Sequence, residues 1–398
     1  MSSQLAVVSY RNHTLSAYYE DDTLLELQVL HPEEHNYLGN IYIGKVTNVV
    51  KNIQAAFVEI EGKITCYLSL KEEKHAVFIN PKKTTKIVQG DEILVQVSRE
   101  SVKTKGPTVT TKISLSGRYV VLTRGGGQIS VSRKIDSKEK REQLQTLAQE
   151  FESKEYGWIL RTNANVASEE MIRAEMELLK SQYEQVLQYG IHRTCYSCVY
   201  ESPAELIIQV RDRLTPELSR IITDIPEIHE QLLNAFGNDS EAAKRLVLYN
   251  DESYPLIKLL SLETQIGRAL GKKVWLKSGA SLVIEPTEAL TSIDVNTEKA
   301  IQGNRNPETT YLKVNREAAG EICRQLRLRN LSGIIIVDFI DMKKEAHKRE
   351  LLAYMRGLLL NDPVKCMLID MTALGLVEIT RMKKRKPLHE ELRNKDYE

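Results

Sequence analysis

The sequence is poor in cysteine and has no long apolar run. Five cysteines among 398 residues favour a reducing compartment over a disulfide framework. No apolar stretch approaches the roughly 20 residues that a membrane-spanning helix needs. The N-terminal segment has no basic region followed by a continuous apolar stretch, so a signal peptide is not expected. These absences predict a cytoplasmic protein without a membrane partner.

Neither sign of charge is in excess. The chain has 55 lysines and arginines against 54 aspartates and glutamates, which leaves a net charge of +1. The composition is therefore not that of a strongly basic nucleic-acid binder, and any basic surface must be local. The length predicts two to four domains.

The pattern of short apolar segments predicts an α+β multidomain fold. Residues 36–118 alternate apolar and polar residues between closely spaced turns, which indicates a small β-barrel. Residues 119–200 contain a strand, an RGGG turn and two helical stretches, the second of which should begin at Ser168. A short strand, GWILRTNA, lies between these helices.

The second half of the chain predicts a mixture of strands and helices. Residues 201–270 contain a predicted strand, AELIIQV, among several helices. From about residue 271 the pattern gives strands, a helix, the buried strand GIIIVDFI, another helix and a final β-pair. This order is typical of α+β or α/β nuclease architecture.

Two carboxylates and an amide stand at the ends of two very apolar strands. Asp294 and Asn296 are two residues apart in TSIDVN, so their side chains point to the same side of the strand. Asp338 follows the apolar run GIIIV, where an uncompensated carboxylate would be costly. Such oxygen ligands suit Mg²⁺, which promotes phosphodiester cleavage. The alternative is that they are capping or ion-pair residues, and Asp341 is predicted to cap the next helix.

Aromatic and basic residues in the predicted barrel suggest contacts with single-stranded nucleic acid. Phe57 and Tyr67 fall on adjacent predicted strands, and Lys105 lies in the loop TKGPT. Aromatic rings stack on bases without sequence preference, while cations follow the phosphate backbone. Phe57 could equally well belong to the barrel core.

The segment ILRTN places an arginine beside a threonine. Arg161 offers a planar fork that matches phosphate, and Thr162 adds a hydroxyl donor. The alternative is an ordinary surface pair. RGGG lacks the Gly-Lys-Ser/Thr that completes a phosphate loop, so it predicts a flexible turn.

Three long segments, EPTEALTSIDVNTEKA, EICRQLRLRNLSGIIIVDFIDM and LGLVEITRMKKRK, resemble the signature segments of the ribonuclease E/G family. GNIYIGKVTNVVKNIQAAFVEI is similar to the RNA-binding barrel of that family. The resemblance runs from about residue 36 to residue 387, and the short length is similar to that of the G-type members. It implies a single-strand-specific, Mg²⁺-dependent endoribonuclease of rRNA processing and mRNA decay that leaves 5′-phosphate and 3′-hydroxyl ends. Whether Mn²⁺ serves as well as Mg²⁺ is left open.

The resemblance also implies a domain layout. An S1-type OB barrel would be inserted in an RNase H-like fold, followed by a 5′-sensor domain and a DNase I-like catalytic domain. The implied boundaries are 1–35 and 201–270 for the two RNase H-like parts, 36–118 for the barrel, 119–200 for the sensor and 271–398 for the catalytic domain with its basic tail. The tail segment RMKKRK is either a solvated run or a further phosphate contact.

The resemblance assigns roles to individual residues. Asp294 and Asp338 would bind the metal, and Asn296 would orient the scissile phosphate. The implied RNA contacts of the barrel are Phe57, Tyr67 and Lys105. The implied pocket for a 5′-monophosphate consists of Gly117, Val121, Arg133, Arg161 and Thr162. A 5′-hydroxyl end would leave the arginine of ILRTN unpaired, which implies stimulation by 5′-monophosphate ends.

One feature of the family is missing from the sequence. Family members share a zinc ion between two subunits through a Cys-Pro-x-Cys pair after the nuclease domain, and this chain ends without that pair. Zinc is therefore not expected, and a homodimer would have to form without this link. Cys195 and Cys198 in CYSC have the spacing of half a zinc site, but no second pair follows.

Two other functions are alternatives to the one that the resemblance implies. A non-catalytic S1-type RNA-binding or ribosome-associated protein would keep the barrel with damaged carboxylates, but Asp294, Asn296 and Asp338 are all present. A metal-dependent phosphatase on a similar nuclease core would have little need of the barrel or of Arg161.

Overall fold

The structure is a computed structural model that describes residues 2–31, 37–100, 106–298 and 307–393. It is a mixed α+β fold, as predicted, and it divides into two compact units, residues 34–212 and residues 1–33 with 213–398. Within the described ranges, none of the helices combines the length and the apolar character that crossing a membrane requires.

Three antiparallel strands form the beginning of the chain, β1 (Ser3–Tyr10), β2 (His13–Glu20) and β3 (Thr23–Leu30). Consecutive residues of β1, Leu5 to Val8, are all fully buried. Because consecutive residues of a strand point to opposite faces, both faces of β1 are covered. This is the pattern of an interior strand, and the sheet is completed by strands from later in the chain.

Residues 41–110 form a closed five-stranded barrel, as the alternation predicted. Its strands are β4 (Ile41–Val50), β5 (Ala55–Glu59), β6 (Thr65–Ser69), β7 (Glu92–Arg99) and β8 (Thr108–Thr110). β4 pairs with both β5 and β7, while β8 joins β6 to β7, and these pairings close the barrel. Gly44 is needed in β4, because a Cβ there would lie 2.5 Å from the side chain of Val58.

A second sheet with two helices follows the barrel. Its strands, in the order β11-β12-β10-β9, are β9 (Ser114–Ser116), β10 (Val120–Arg124), β11 (Ile129–Val131) and β12 (Tyr156–Leu160). The two predicted helices are confirmed as α1 (Lys138–Gln149) and α2 (Glu169–Gln188). Ser168 caps α2 by accepting a hydrogen bond from the backbone N–H of Met171. The fully buried Trp158 packs in the core with residues of both helices, and β13 (Cys198–Tyr200) pairs with β4.

The segment AELIIQV is a helix, and the prediction of a strand was wrong. Helix α3 spans Glu205–Arg213. Its buried residues, Leu206, Gln209 and Val210, recur at intervals of three and four, which is the period of a helix face. Burial of that face outweighs the strand preference of the two isoleucines.

Two parallel strands complete the sheet that β1 to β3 begin. β14 (Leu218–Thr223) pairs with β1, and β15 (Leu246–Leu248) pairs with β14, so the order is β15-β14-β1-β2-β3. The helices of this segment are α4 (Pro226–Phe236), α5 (Glu241–Arg245), α6 (Leu256–Leu259) and α7 (Leu262–Leu270). Ser3 is the register partner of Leu218, so segments far apart in the sequence share one sheet.

The C-terminal segment forms a six-stranded sheet in the order β16-β17-β18-β19-β21-β20. The strands are β16 (Lys273–Trp275), β17 (Ser281–Pro286), β18 (Leu290–Asn296), β19 (Gly333–Asp338), β20 (Cys366–Met371) and β21 (Val377–Arg381). Helices α8 (Pro307–Leu328) and α9 (Glu345–Leu360) share its apolar core, and α10 (Leu388–Arg393) follows. The predicted order of elements up to β21 is confirmed. β19 is not buried on both faces, because Ile334 is 51% exposed.

One prediction about a helix end was wrong. Asp341 does not cap α9, whose N-cap residue is Lys344 without a side-chain hydrogen bond. The run RMKKRK is largely solvated, since Met382, Lys383, Lys384 and Lys386 are exposed, but its first residue, Arg381, is buried. Its guanidinium bonds the carboxylate of Asp362 through Nε at 2.8 Å and Nη2 at 3.2 Å, and this pairing compensates the buried charge.

Candidate functional site

Asp294 and Asp338 lie side by side near the C-terminal ends of β18 and β19, two neighbouring interior strands of the C-terminal sheet. β18 and β19 run parallel, and the two aspartates are register partners on strands roughly 4.8 Å apart. Both side chains are exposed, whereas Ile293 and Val295 on the other face of β18 are buried in the apolar core. Burial of that face therefore turns both carboxylates towards solvent on the same side of the sheet.

Asn296 is joined to this pair by a hydrogen bond. Its Nδ2 donates to Oδ2 of Asp294 at 2.6 Å. Asn296 is also the register partner of Ser281, a fully buried residue of β17. The amide thus orients the Asp294 carboxylate and still has a second N–H on the same nitrogen.

The electrostatics of the pair favour a cation. Partial loss of hydration raises the pKa of Asp338, and the carboxylates of Asp294 and Asp341 raise it further, because each disfavours another negative charge nearby. Two carboxylates and an amide are hard donors, which Mg²⁺ combines with waters and phosphate oxygens. In the described ranges, no group of three or more His, Cys, Asp or Glu side chains could hold a metal ion. Two neighbouring carboxylates with an amide beside them have the donor chemistry that suits a hard cation with few protein ligands.

The barrel presents a pair of aromatic rings on its outer face. Phe57 of β5 and Tyr67 of β6 are direct cross-strand partners, so their side chains share a face. Tyr67 is 37% exposed, and Phe57 is half-buried and lies outside the barrel core. Lys105, the third residue predicted here, lies outside the described residues.

Arg161 follows the last residue of β12 and has an internal partner. Its Nη1 and Nη2 donate to Oδ1 and Oδ2 of Asp212 at 2.9 and 2.6 Å. Nη1 also donates to the carbonyl oxygen of Gly117 at 2.5 Å. The expectation that Arg161 would be unpaired without a phosphate was therefore wrong, because the carboxylate of Asp212 fills the guanidinium fork.

The backbone next to Gly117 binds the carboxylate of Glu175. The carboxylate of Glu175 accepts hydrogen bonds from the backbone N–H groups of Arg118 and Tyr119, both at 2.6 Å, and of Val120 at 2.9 Å. A Cβ at Gly117 would lie 2.3 Å from the carboxyl carbon of Glu175, which explains the glycine.

The other residues predicted for this pocket have different surroundings. Thr162 lies beside Arg161 in sequence, and its Oγ1 is 3.0 Å from Oγ of Ser132. Val121 lies within β10, where it pairs with β9 on one side and β12 on the other. Arg133 is exposed. The structure thus brings Gly117 and Arg161 into direct contact, with Thr162 next to them.

Comparison with known proteins identifies the family. Residues 114–384 match the model of the ribonuclease E/G family. Ribonuclease G of Escherichia coli strain K12 is 34% identical over 406 aligned residues, which cover 99% of this chain and 82% of that protein. The chain belongs to the ribonuclease E/G family. The resemblance seen in the signature segments is thereby confirmed.

Other members of the ribonuclease E/G family align over similar lengths. Ribonuclease G of Haemophilus influenzae is 35% identical over 394 residues, which cover 95% of this chain and 79% of that protein. Ribonuclease E of Nostoc sp. is 34% identical over 396 residues, which cover 96% of this chain but 56% of that protein.

Asp212 and Glu175 could not have been found by sequence reasoning. Each has a partner more than 50 positions away in the sequence, since Arg161 precedes Asp212 by 51 residues and Arg118 precedes Glu175 by 57. Neither belongs to a motif that distinguishes it from the many other acidic residues of this ribonuclease E/G family member. The contacts depend on where α2 and α3 pack.

The two cysteines of CYSC are free thiols. Burial raises the pKa of both Cys195 and Cys198. The Sγ of Cys198 donates a hydrogen bond to the carbonyl of Tyr200 at 3.3 Å. In this ribonuclease E/G family member the two residues have the surroundings of ordinary structural thiols.

Proposed function

We propose that the chain is a Mg²⁺-dependent endoribonuclease that cuts single-stranded RNA and leaves 5′-phosphate and 3′-hydroxyl ends. Membership of the ribonuclease E/G family makes it an endoribonuclease of RNA processing, and hence a hydrolase. The proposal adds the metal, the strand preference, the product ends, and roles in rRNA maturation and mRNA turnover in the cytoplasm. The observation that carries it is the register pairing of Asp294 and Asp338 at the exposed ends of β18 and β19.

Asp294 and Asp338 would hold the metal ion. When bound, Mg²⁺ supplies charge neutralisation at the phosphate and lowers the pKa of the attacking water. Both carboxylates must be ionised to serve as ligands, and partial loss of hydration together with the neighbouring carboxylates opposes ionisation of Asp338 by raising its pKa. Asn296 orients Asp294 through its 2.6 Å hydrogen bond, and its second N–H can donate to an oxygen of the scissile phosphate.

The paired rings of Phe57 and Tyr67 support the preference for single strands. Bases of a single strand are free to stack on protein side chains, whereas bases within a duplex already stack on one another. Tyr67 offers the more exposed ring. We assign the backbone contact of this surface to Lys105.

The finer domain layout is also part of the proposal. The five-stranded barrel corresponds to the S1-type domain, the sheet built from β1 to β3 with β14 and β15 to the RNase H-like domain, and the six-stranded sheet to the DNase I-like domain. Arg161, Thr162, Gly117, Val121 and Arg133 form the 5′-monophosphate pocket in this scheme.

Cleavage of a defined RNA tests the proposal. The purified protein is incubated with an A/U-rich single strand of about 20 nucleotides, a length that spans one or two barrel sites. We expect cleavage with Mg²⁺, none with a chelator, a faster rate on the 5′-monophosphorylated strand than on the 5′-hydroxyl strand, and little cleavage of the duplex. Binding without cleavage would indicate a non-catalytic RNA-binding protein. Release of inorganic phosphate without internal cuts would indicate a phosphatase.

A further inference from the structure

We infer that Asp212 is a specificity-determining residue of the 5′-end pocket. Its carboxylate fills the guanidinium fork of Arg161, and a 5′-phosphate must displace it in order to bind there. The inference rests on the proposed function, because it takes Arg161 as the ligand of the phosphate. It adds an internal competitor that lowers the preference for monophosphorylated ends.

The fork of Arg161 is occupied in the manner in which a phosphate would occupy it. Nη1 and Nη2 donate in parallel to the two oxygens of Asp212, which is the bidentate geometry shared by carboxylate and phosphate ligands. The second N–H of Nη1 goes to the carbonyl of Gly117. The side chains of Arg161 and Asp212 are 29% and 24% exposed, so solvent screens this pair less than a fully exposed one. Two anions cannot share this fork, and a phosphate beside it would be repelled by the carboxylate.

Arg211 gives the displaced carboxylate a second partner. Its Nε donates to Oδ1 of Asp212 at 3.1 Å, and its Nη2 lies 3.1 Å from the same oxygen. Arg211 is itself fixed by a 2.6 Å hydrogen bond from Nη1 to the carbonyl of Ser116. The backbone of Asp212 is held by Asn163, whose Nδ2 donates to its carbonyl at 2.9 Å. The carboxylate can therefore rotate away from Arg161 and remain paired with Arg211.

The exchange explains how Asp212 sets the preference for the RNA end. An empty guanidinium fork would remain unsatisfied when a 5′-hydroxyl RNA binds and would be filled by a 5′-monophosphate. The affinities for the two RNA ends would then differ strongly. With Asp212 present, Arg161 is already paired. Binding of the phosphate then gains only the difference in free energy between the Arg161–phosphate pair and the Arg161–Asp212 pair. The apparent affinity for the phosphate is the intrinsic affinity multiplied by the fraction of molecules in which the fork is not occupied by Asp212. Removing the carboxylate charge should therefore increase the preference for a monophosphorylated end about three- to tenfold.

Binding of short RNA in a chelator, measured by fluorescence anisotropy, tests the inference without any cleavage. The ratio of affinities for the 5′-monophosphorylated and 5′-hydroxyl forms of one labelled strand is compared in the wild type, Asp212→Asn and Asp212→Ser. Glu150→Gln is the matched control, because Glu150 forms a bidentate pair with Arg173 in the same unit but outside the pocket. Melting temperatures of all variants check that they fold.

We expect both Asp212 variants to raise the ratio about three- to tenfold and the control to leave it unchanged. A ratio that stays at the wild-type value would overturn the inference while leaving 5′-end recognition in place. A ratio that falls would also overturn it, because Asp212 would then position Arg161 for the phosphate. A ratio of one in the wild type and in both variants would overturn the 5′-end pocket itself together with the inference. A ratio of one in the wild type that rises in the variants would support the inference, because Asp212 would then exclude the phosphate from the Arg161 fork in the wild type.

Discussion

Glu26 of β3 pairs with two arginines, Arg327 of α8 and Arg213, within the unit formed by residues 1–33 and 213–398. It is 6% exposed and accepts hydrogen bonds from Nε and Nη2 of Arg327 at 3.3 and 2.7 Å and from Nη2 of Arg213. Burial raises the pKa of Glu26, but Arg213 and Arg327 more than offset this effect, so the folded pKa lies below the usual value. The carboxylate therefore stabilises the folded state at neutral pH.

Glu26→Gln keeps the shape of the side chain and removes its charge. Arg213 and Arg327, whose side chains are 18% and 17% exposed, would lose their shared counter-ion. Breaking one side of a buried ion pair costs about 3–5 kcal/mol, and we expect the free energy of unfolding to fall by about 3 kcal/mol because both arginines keep some contact with water. Urea unfolding gives this value, and hydrogen exchange of peptides from β3 and α8 shows whether the loss is local.

The pH dependence separates lost charge from lost packing. A carboxylate with a lowered folded pKa contributes fully above its unfolded pKa of about 4.3, and the contribution is lost as the pH falls through the folded pKa. The difference in the free energy of unfolding between wild type and Glu26→Gln should be constant from about pH 8 to about pH 5.5 and should decrease in more acidic solution. Glu150→Gln, which breaks an exposed pair with Arg173, should change stability little. A gap below about 1 kcal/mol, or one that is the same at all pH values, would refute the reasoning.

Arg161→Gln should bring the ratio of cleavage rates on 5′-monophosphorylated and 5′-hydroxyl RNA close to one, because the fork that binds phosphate is lost; an unchanged ratio in single-turnover assays would remove Arg161 from end recognition. Phe57→Ala and Tyr67→Ala should each weaken binding of single-stranded RNA by about 1–3 kcal/mol through lost stacking, and wild-type affinity in filter binding would contradict this.

The local pattern predicted the polar face of β18 but not its pairing with Asp338. Alternation of Ile293 and Val295 with Asp294 and Asn296 was sufficient to place the polar side chains on one face of β18. The pairing with Asp338 depends on a parallel register between strands separated by a long helix, and spacing alone does not specify a register. The family resemblance supplied that link, and the register in the sheet agrees with it.

Two failures have the same physical origin. AELIIQV has three β-branched residues, which favour a strand, yet packing of Leu206 and Val210 against neighbouring elements makes it a helix. The same helix carries Asp212 to Arg161, so the missed helix and the missed partner are one error. Short apolar segments take the secondary structure that tertiary packing favours, and local propensity decides little.

Cleavage by single aspartate variants tests the central claim, that Asp294 and Asp338 hold the metal ion with which the chain cuts RNA. Asp294→Asn and Asp338→Asn are compared with Asp370→Asn, an exposed carboxylate on β20 of the same sheet. Each active-site variant should lose cleavage by about a hundredfold or more while binding single-stranded RNA as the wild type does, and the control should keep both activities. Wild-type turnover in either active-site variant, or a loss of binding as large as the loss of cleavage, would contradict the account.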